Sequence, residues 1–138
     1  MAMAQGVSSW SKDPNTKVGA VAVGNKGQIL SQGYNGFPRG ILDTDDRLND
    51  RETKYKYVVH AEMNVIYNAT YNGVSLDGAD LYVYGLPVCS ECAKGIIQVG
   101  IKRVYVSKEC LEKRPHWFES FQQTVDMFGE AKIEVFAI

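Results

Sequence analysis

The sequence predicts an α/β fold, a three-layer α/β/α sandwich around a mixed five-stranded sheet, as one domain over residues 1–138. Three observations carry this reading. An almost continuous apolar run, Val18 to Val23, is followed by a turn and a second extended run, the pattern of an antiparallel hairpin. Helical and strand patterns then alternate to the end of the chain, which is how helices come to cover a sheet. The strand runs are short, and most are bounded by glycine, proline or asparagine.

Residues 3–11 form a short first helix, and Ser11 to Thr16 a turn in which Pro14 ends any helix. Val18–Val23 reads as a central strand buried on both faces, because its apolar residues do not alternate with polar ones. Gly24 to Gly27 is the hairpin turn, and Gln28–Tyr34 the partner strand. Asn35 to Gly40 holds two glycines and a proline and is expected to be a loop at the sheet's edge. The mixed-charge run from Asp43 to Lys54 is expected to be a solvated loop, or alternatively a mobile flap over a charged ligand. A second helix runs from Val59 to Tyr71, stopped by Asn72-Gly73, with Val65 and Ile66 buried. Leu81–Tyr84 is the third strand, leaving through Gly85-Leu86-Pro87, and Cys89–Gln98 a helix ended by Gly100. Arg103–Ser107 is the fourth strand and Trp117–Met127 the last helix, with Trp117, Phe118, Phe121, Val125 and Met127 apolar. Lys132–Phe136 is the fifth strand.

Hydrophobic residues make up 45% and charged residues 22%, as in ordinary globular proteins. A formal net charge of -1 gives no basic excess to attract nucleic acid. No apolar run approaches the roughly 18 residues of a membrane span, and Met1 to Gln5 has neither the basic nor the apolar region of a secretory leader. A cytoplasmic protein with no nucleic-acid or membrane partner is expected. Three cysteines in a reducing compartment point to metal or chemistry rather than disulfides.

Chemistry concentrates at Val59-His60-Ala61-Glu62-Met63-Asn64 and Pro87-Val88-Cys89-Ser90-Glu91-Cys92. A histidine, a glutamate two residues on, and a later C-x-x-C pair have the spacing of a one-histidine, two-cysteine zinc site with an open position for water. Cys89 and Cys92 lie three apart at a helix start, so both sulfurs can face one point, and unpaired N–H groups there favour thiolates. His60 sits at the start of the other helix. Two thiolates cancel the charge of zinc, and a neutral centre acidifies water less than three neutral histidines would. A nearby base is therefore useful, and Glu62 is placed to carry the proton. A closed structural zinc would need a fourth ligand. Cys110 and His116 are the only residues left for it, and neither has paired spacing, so one catalytic zinc per chain is expected.

Four blocks resemble the cytidine-deaminase-like superfamily and, within it, the deoxycytidylate (dCMP) deaminases. They are Ser11 to Ala20, Gly33 to Gly40, Lys56 to Asn64 and Cys89 to Gln98, so the resemblance covers nearly the whole chain. It implies zinc-dependent hydrolysis of dCMP to dUMP and ammonia for thymidylate synthesis, with water attacking C4 of cytosine and Glu62 protonating N3. It also implies substrate contacts at Asn35, Ala61 and Pro87. The loop after Tyr34 would form a regulatory site between subunits of a homo-hexamer, taking dCTP with Mg2+ as activator and dTTP as inhibitor. Tyr34, Gly36, Phe37, Arg39, Gly40, Asp43 and Asn64 are the candidates there; an arginine suits a triphosphate, and glycine lets backbone N–H groups approach it.

Three departures bear on this. Val88 separates Pro87 from Cys89, where the usual family pattern has proline directly before the first cysteine. The extra His and Cys ligands of relatives with a second, structural zinc are lacking. Tyr71 stands where some phosphate-binding relatives have arginine, leaving Lys12, Asn15, Asn68 and Tyr71 as candidates for the 5′-phosphate. Competing readings are a deaminase of a free nucleoside, a riboflavin precursor or a tRNA base, a catalytically silent dNTP-sensing zinc module, and a structural zinc protein. Glu62 separates enzyme from sensor, because a sensor needs no base.

Overall fold

A computed structural model describes residues 1–138, the side chain of Phe118 excepted. The expected hairpin is β1 (Gly19–Val23) paired antiparallel with β2 (Ile29–Tyr34). β3 (Asp80–Tyr84) pairs antiparallel with the other edge of β1, and β4 (Arg103–Val106) and β5 (Glu134–Ala137) follow in parallel. The sheet is mixed and five-stranded as expected, in the order β2-β1-β3-β4-β5.

Its two faces are covered unequally. The main core lies on one face, where α4 (Ala61–Tyr71), α5 (Ser90–Gln98) and α7 (Phe118–Glu130) pack on alternate residues such as Ala20, Ala22, Leu81, Val83 and Val104. The other face receives only α1 (Ala2–Ser8), whose Ala4 and Val7 meet Val21 with Tyr82 and Tyr84 alongside. β1 is thus buried on both faces, as its unbroken apolar run predicts. From Tyr82, at the margin of that cluster, a stack continues through Tyr105 to Phe136 across three strands in register, with ring centroids 4.6 and 5.1 Å apart. Phe118, expected on the apolar side of the last helix, lies outside the described side chains.

Two expectations need correction. The charged run is not a solvated loop. It forms α2 (Asp45–Asn49) and α3 (Arg51–Tyr57), with Thr44 capping α2 by accepting the Arg47 N–H. What holds these short helices is tertiary: Leu48 and Lys54 are buried. The second correction is α6 (Lys108–Lys113), capped by Ser107 and followed by a 3-10 turn over Pro115–Trp117, so Trp117 precedes the last helix rather than opening it.

One close approach fixes where α4 begins. A Cβ built on Gly33 would lie 2.6 Å from the Val65 nitrogen and 2.8 Å from the Ala61 oxygen, so α4 rests directly on β2. Overpacking of this kind typically costs about 1–3 kcal/mol. Gly33→Ala should therefore lower stability in urea unfolding by about that amount, and an unchanged midpoint would show that α4 is not seated there.

Candidate active site

Each of the three candidate metal ligands is placed by a helix start. His60 is the N-cap of α4 and Cys89 the N-cap of α5, both with extended backbone, and Cys92 lies in the first turn of α5. The Cys92 N–H points at Cys89 Sγ, 3.5 Å away. His60 Nδ1 is 3.5 Å from Cys89 Sγ and 3.3 Å from Cys92 Sγ. Tetrahedral zinc at its usual bond lengths holds nitrogen and sulfur ligands about 3.6 Å apart. The donor set fits zinc, and among the described residues it is the group so arranged. Cys110 and His116 are not part of it.

The α5 start is braced from α7. Val88 is fully buried, and its carbonyl accepts the Thr124 hydroxyl at 2.9 Å. The Ser90 N–H donates to Ser120 Oγ at 3.1 Å. The residue inserted between Pro87 and Cys89 thus points into the core and ties the turn down. Gly85 makes the exit from β3 possible: its φ is 118°, and a Cβ there would come within 2.4 Å of the Lys17 oxygen.

His60, Glu62 and Cys89 face one cleft together with Ala61, Pro87 and Asn35. Glu62 is 3% exposed. Burial pushes its carboxyl up to about 7, opposed by the hydrogen bond from Cys92 and the charge of His60. The hydrogen bond from Cys92 lowers the Cys89 thiol, and that same bond, with burial, raises Cys92, so the pair keeps one proton. His60 is raised, chiefly by its hydrogen bond with Cys89.

Asn35 is oriented without ambiguity. Its Oδ1 accepts the Val18 N–H and its Nδ2 donates to the Thr16 carbonyl, both at 2.9 Å, leaving one amide hydrogen for a ligand. Next to it, Lys54 and Asp13 form a buried ion pair at 3.3 Å. Asp13 Oδ1 also accepts the Asn15 and Thr16 N–H groups at 2.8 and 3.1 Å. This pair joins α3 to the Ser11–Thr16 turn and forms part of the cleft wall. The sequence reading overlooked Lys54, Tyr55 and Trp117, which also border the cleft.

The other candidates separate by location. Asn15 lies in an outer cleft that adjoins the first. Lys12 is outside both and pairs with Asp43 at 3.2 Å. Asn68 and Tyr71 are on another side of the molecule, where Asn68 bonds Arg39 and the Arg39 guanidinium lies 4.4 Å over the Tyr71 ring. Tyr34, Gly36 and Phe37 border two further clefts, one with Arg39 and Asn64, the other with Asp43. Gly40 makes an exposed turn at φ 81°.

The family model of the cytidine and deoxycytidylate deaminase zinc-binding region matches residues 1–108. The chain belongs to this deaminase family. It is 43% identical over 133 residues to an uncharacterised deaminase from the luxG 3′ region of Aliivibrio fischeri, covering 96% of this chain and 86% of that protein. It is 48% identical over 101 residues to human deoxycytidylate deaminase, covering 68% of this chain and 54% of the human protein. The chain spans about half the length of the animal deoxycytidylate deaminases it matches. The crystal structure of dCMP deaminase from cyanophage S-TIM5, in complex with dCMP and dUMP, superposes with a TM-score of 0.73 at 27% identity, covering 99% of this chain and 92% of that one. No helix among the described residues is long and apolar enough to cross a membrane.

In this deaminase-family site, imidazole and thiolate ligands bind zinc in their deprotonated forms, whereas burial and the hydrogen bond with Cys89 favour the thiol at Cys92. Protons therefore compete with metal, and each one displaced makes affinity fall about tenfold per unit drop in pH. Chelator-competition titrations at two pH values should show weaker zinc binding at the lower one, with proton release on loading. A pH-independent affinity would contradict the ligand assignment.

Proposed function

We propose that the chain is a zinc-dependent hydrolase converting dCMP to dUMP and ammonia, a reaction that feeds thymidylate synthesis in the cytoplasm. The observation that carries this reading is a buried carboxylate, Glu62, facing the same cleft as His60 and Cys89. Membership of the deaminase family and the likeness to dCMP deaminases support the choice of substrate.

Zinc held by His60, Cys89 and Cys92 supplies a Lewis acid that makes water nucleophilic at neutral pH. The remaining work falls to side chains of the chain. Glu62 takes the proton from the attacking water, delivers it to N3 of cytosine as C4 is attacked, and then assists departure of the amine. A carboxyl raised to about 7 is suited to both accepting and donating near neutrality. Asn35 offers its remaining amide hydrogen to the substrate, and Ala61 and Pro87 border the base.

The second part of the proposal is control by dCTP with Mg2+ as activator and dTTP as inhibitor, at the Tyr34–Gly40 loop between subunits of a homo-hexamer. Its support is adjacency. The cleft beside Tyr34, Gly36 and Phe37 shares Asp13, Asn35 and Lys54 with the catalytic cleft, so a ligand there would press on the same wall. Arg39, steadied by Asn68 and Tyr71, is the cation for a triphosphate.

A panel of dCMP, CMP and deoxycytidine, followed by the absorbance change of deamination with and without dCTP–Mg2+, tests the activity. Turnover of dCMP is expected, and its absence under every condition would remove the proposal. Glu62→Gln should keep zinc and lose roughly 100-fold or more of the rate; loss of metal would make Glu62 structural. Rates should rise with dCTP–Mg2+ and fall with dTTP, and indifference to both would refute the regulatory part alone.

A further inference from the structure

A neutral amide can serve a ligand only if something else sets its direction. Around Asn35 two hydrogen-bonded routes do so, and both lead to one residue, Asp13. Through the side chain, Asn35 Nδ2 donates to the Thr16 carbonyl at 2.9 Å, and the Thr16 N–H donates to Asp13 Oδ1 at 3.1 Å. Through the main chain, the Asn35 carbonyl accepts the Ser11 hydroxyl at 2.8 Å, and Ser11 Oγ accepts the Asp13 N–H at 3.2 Å. The Ser11–Thr16 turn is thus a bracket centred on Asp13 that carries Asn35.

The bracket contains no helix or strand, and Pro14 brings no N–H to it. Its anchor comes from helix α3. Asp13 Oδ1 collects the Asn15 N–H, the Thr16 N–H and the Lys54 ammonium, so one oxygen joins the turn to that helix. Both side chains of the ion pair are 9% exposed, and a pair so shielded is screened far less than one at the surface. The other ion pair of the turn, Lys12 with Asp43, is exposed and holds it weakly. Lys54 is itself fixed in α3, where its N–H donates to the Asp50 carbonyl at 2.8 Å and its carbonyl accepts the Val58 N–H at 2.9 Å. Asp13, Asn35 and Lys54 all border the catalytic cleft.

We propose that Lys54 is a positioning residue: through Asp13 and Thr16 it keeps the free amide hydrogen of Asn35 directed at the substrate. This deepens the proposed function and rests on it. Without the cation, Asp13 is drawn toward water, the Thr16 carbonyl follows it, and the Asn35 amide turns with its acceptor. Glu62 and the metal ligands belong to the starts of α4 and α5 and keep their places. The loss therefore falls on ligand binding rather than on proton transfer.

Steady-state kinetics with dCMP and calorimetric titration with dUMP, both on the zinc-loaded full chain, test this. Lys54→Met alone would leave the Asp13 charge buried without a partner, so it is combined with Asp13→Asn, which keeps an oxygen for the N–H groups of the turn. This double variant should load zinc as the wild type does and bind dUMP about fivefold more weakly, the scale of one neutral hydrogen bond. The loss should appear in KM rather than kcat, as removal of uniform binding does, whereas Glu62→Gln acts on kcat. Asn35→Ala should cost a similar factor, and adding it to the double variant should cost little more, because both remove the same contact. Should the double variant not fold, Lys54→Arg against Lys54→Gln decides: the first keeps the counter-charge and should keep the affinity that the second loses. Unchanged dUMP affinity in the folded double variant, equal affinity in the arginine and glutamine variants, or losses that multiply with that of Asn35→Ala would overturn the role. A wild type that neither binds dUMP nor turns over dCMP would remove the proposed function, and this inference with it.

Discussion

Two helices have to begin at the same point in space for this site to exist. His60 and Cys89 are both N-cap residues with extended backbone, so each side chain leaves the chain where a helix presents unpaired N–H groups. That positive environment favours the thiolate form on which metal binding depends. Most of the surrounding structure can be read as keeping the two starts together. Gly33 lets α4 lie on β2 without a gap, and the parallel pairing of β3 and β4 brings α5 back across the same face. Thr124 and Ser120 fasten the chain on either side of Cys89.

The wall opposite is built on a different principle. Lys54 and Asp13 are both buried, and breaking such a pair typically costs about 3–5 kcal/mol because one charge is left without a partner. The pair gives the short helix α3 a fixed distance from the Ser11–Thr16 turn. Asn35 adds hydrogen bonds to the Thr16 carbonyl and the Val18 N–H, so turn, loop and helix form one connected rim. A ligand in the cleft beside Phe37 would touch this rim from behind, whereas a substrate would touch it from the front.

The hairpin and the later strands were legible because burial imposes a period that survives in the sequence: β1 is apolar throughout, and β3 alternates between two cores. The three metal ligands were legible because their chemistry demands local spacing. The helices α2 and α3 were not, since segments this short have little helical tendency of their own and depend on burying Leu48 and Lys54. The α6 helix left a trace in Ser107, whose hydroxyl accepts the Cys110 N–H, a cap that could have been read. Helix geometry also bears on Tyr71. At about 100° per residue, the nine positions from Glu62 carry it half-way round α4 and ~14 Å along it. The position could not share the cleft with Glu62. Lys54 had no such local signal, because only tertiary structure brings it to Asp13.

The central claim is an open metal centre with three protein ligands. Zinc-edge X-ray absorption on the metal-loaded protein tests it directly, because it counts sulfur ligands and reads their distances. The account predicts two sulfurs at about 2.3 Å, one imidazole nitrogen and one exchangeable light-atom ligand, unchanged in Cys110→Ser. A third sulfur, or a second imidazole that disappears in His116→Ala, would mean a closed structural site and would contradict the account.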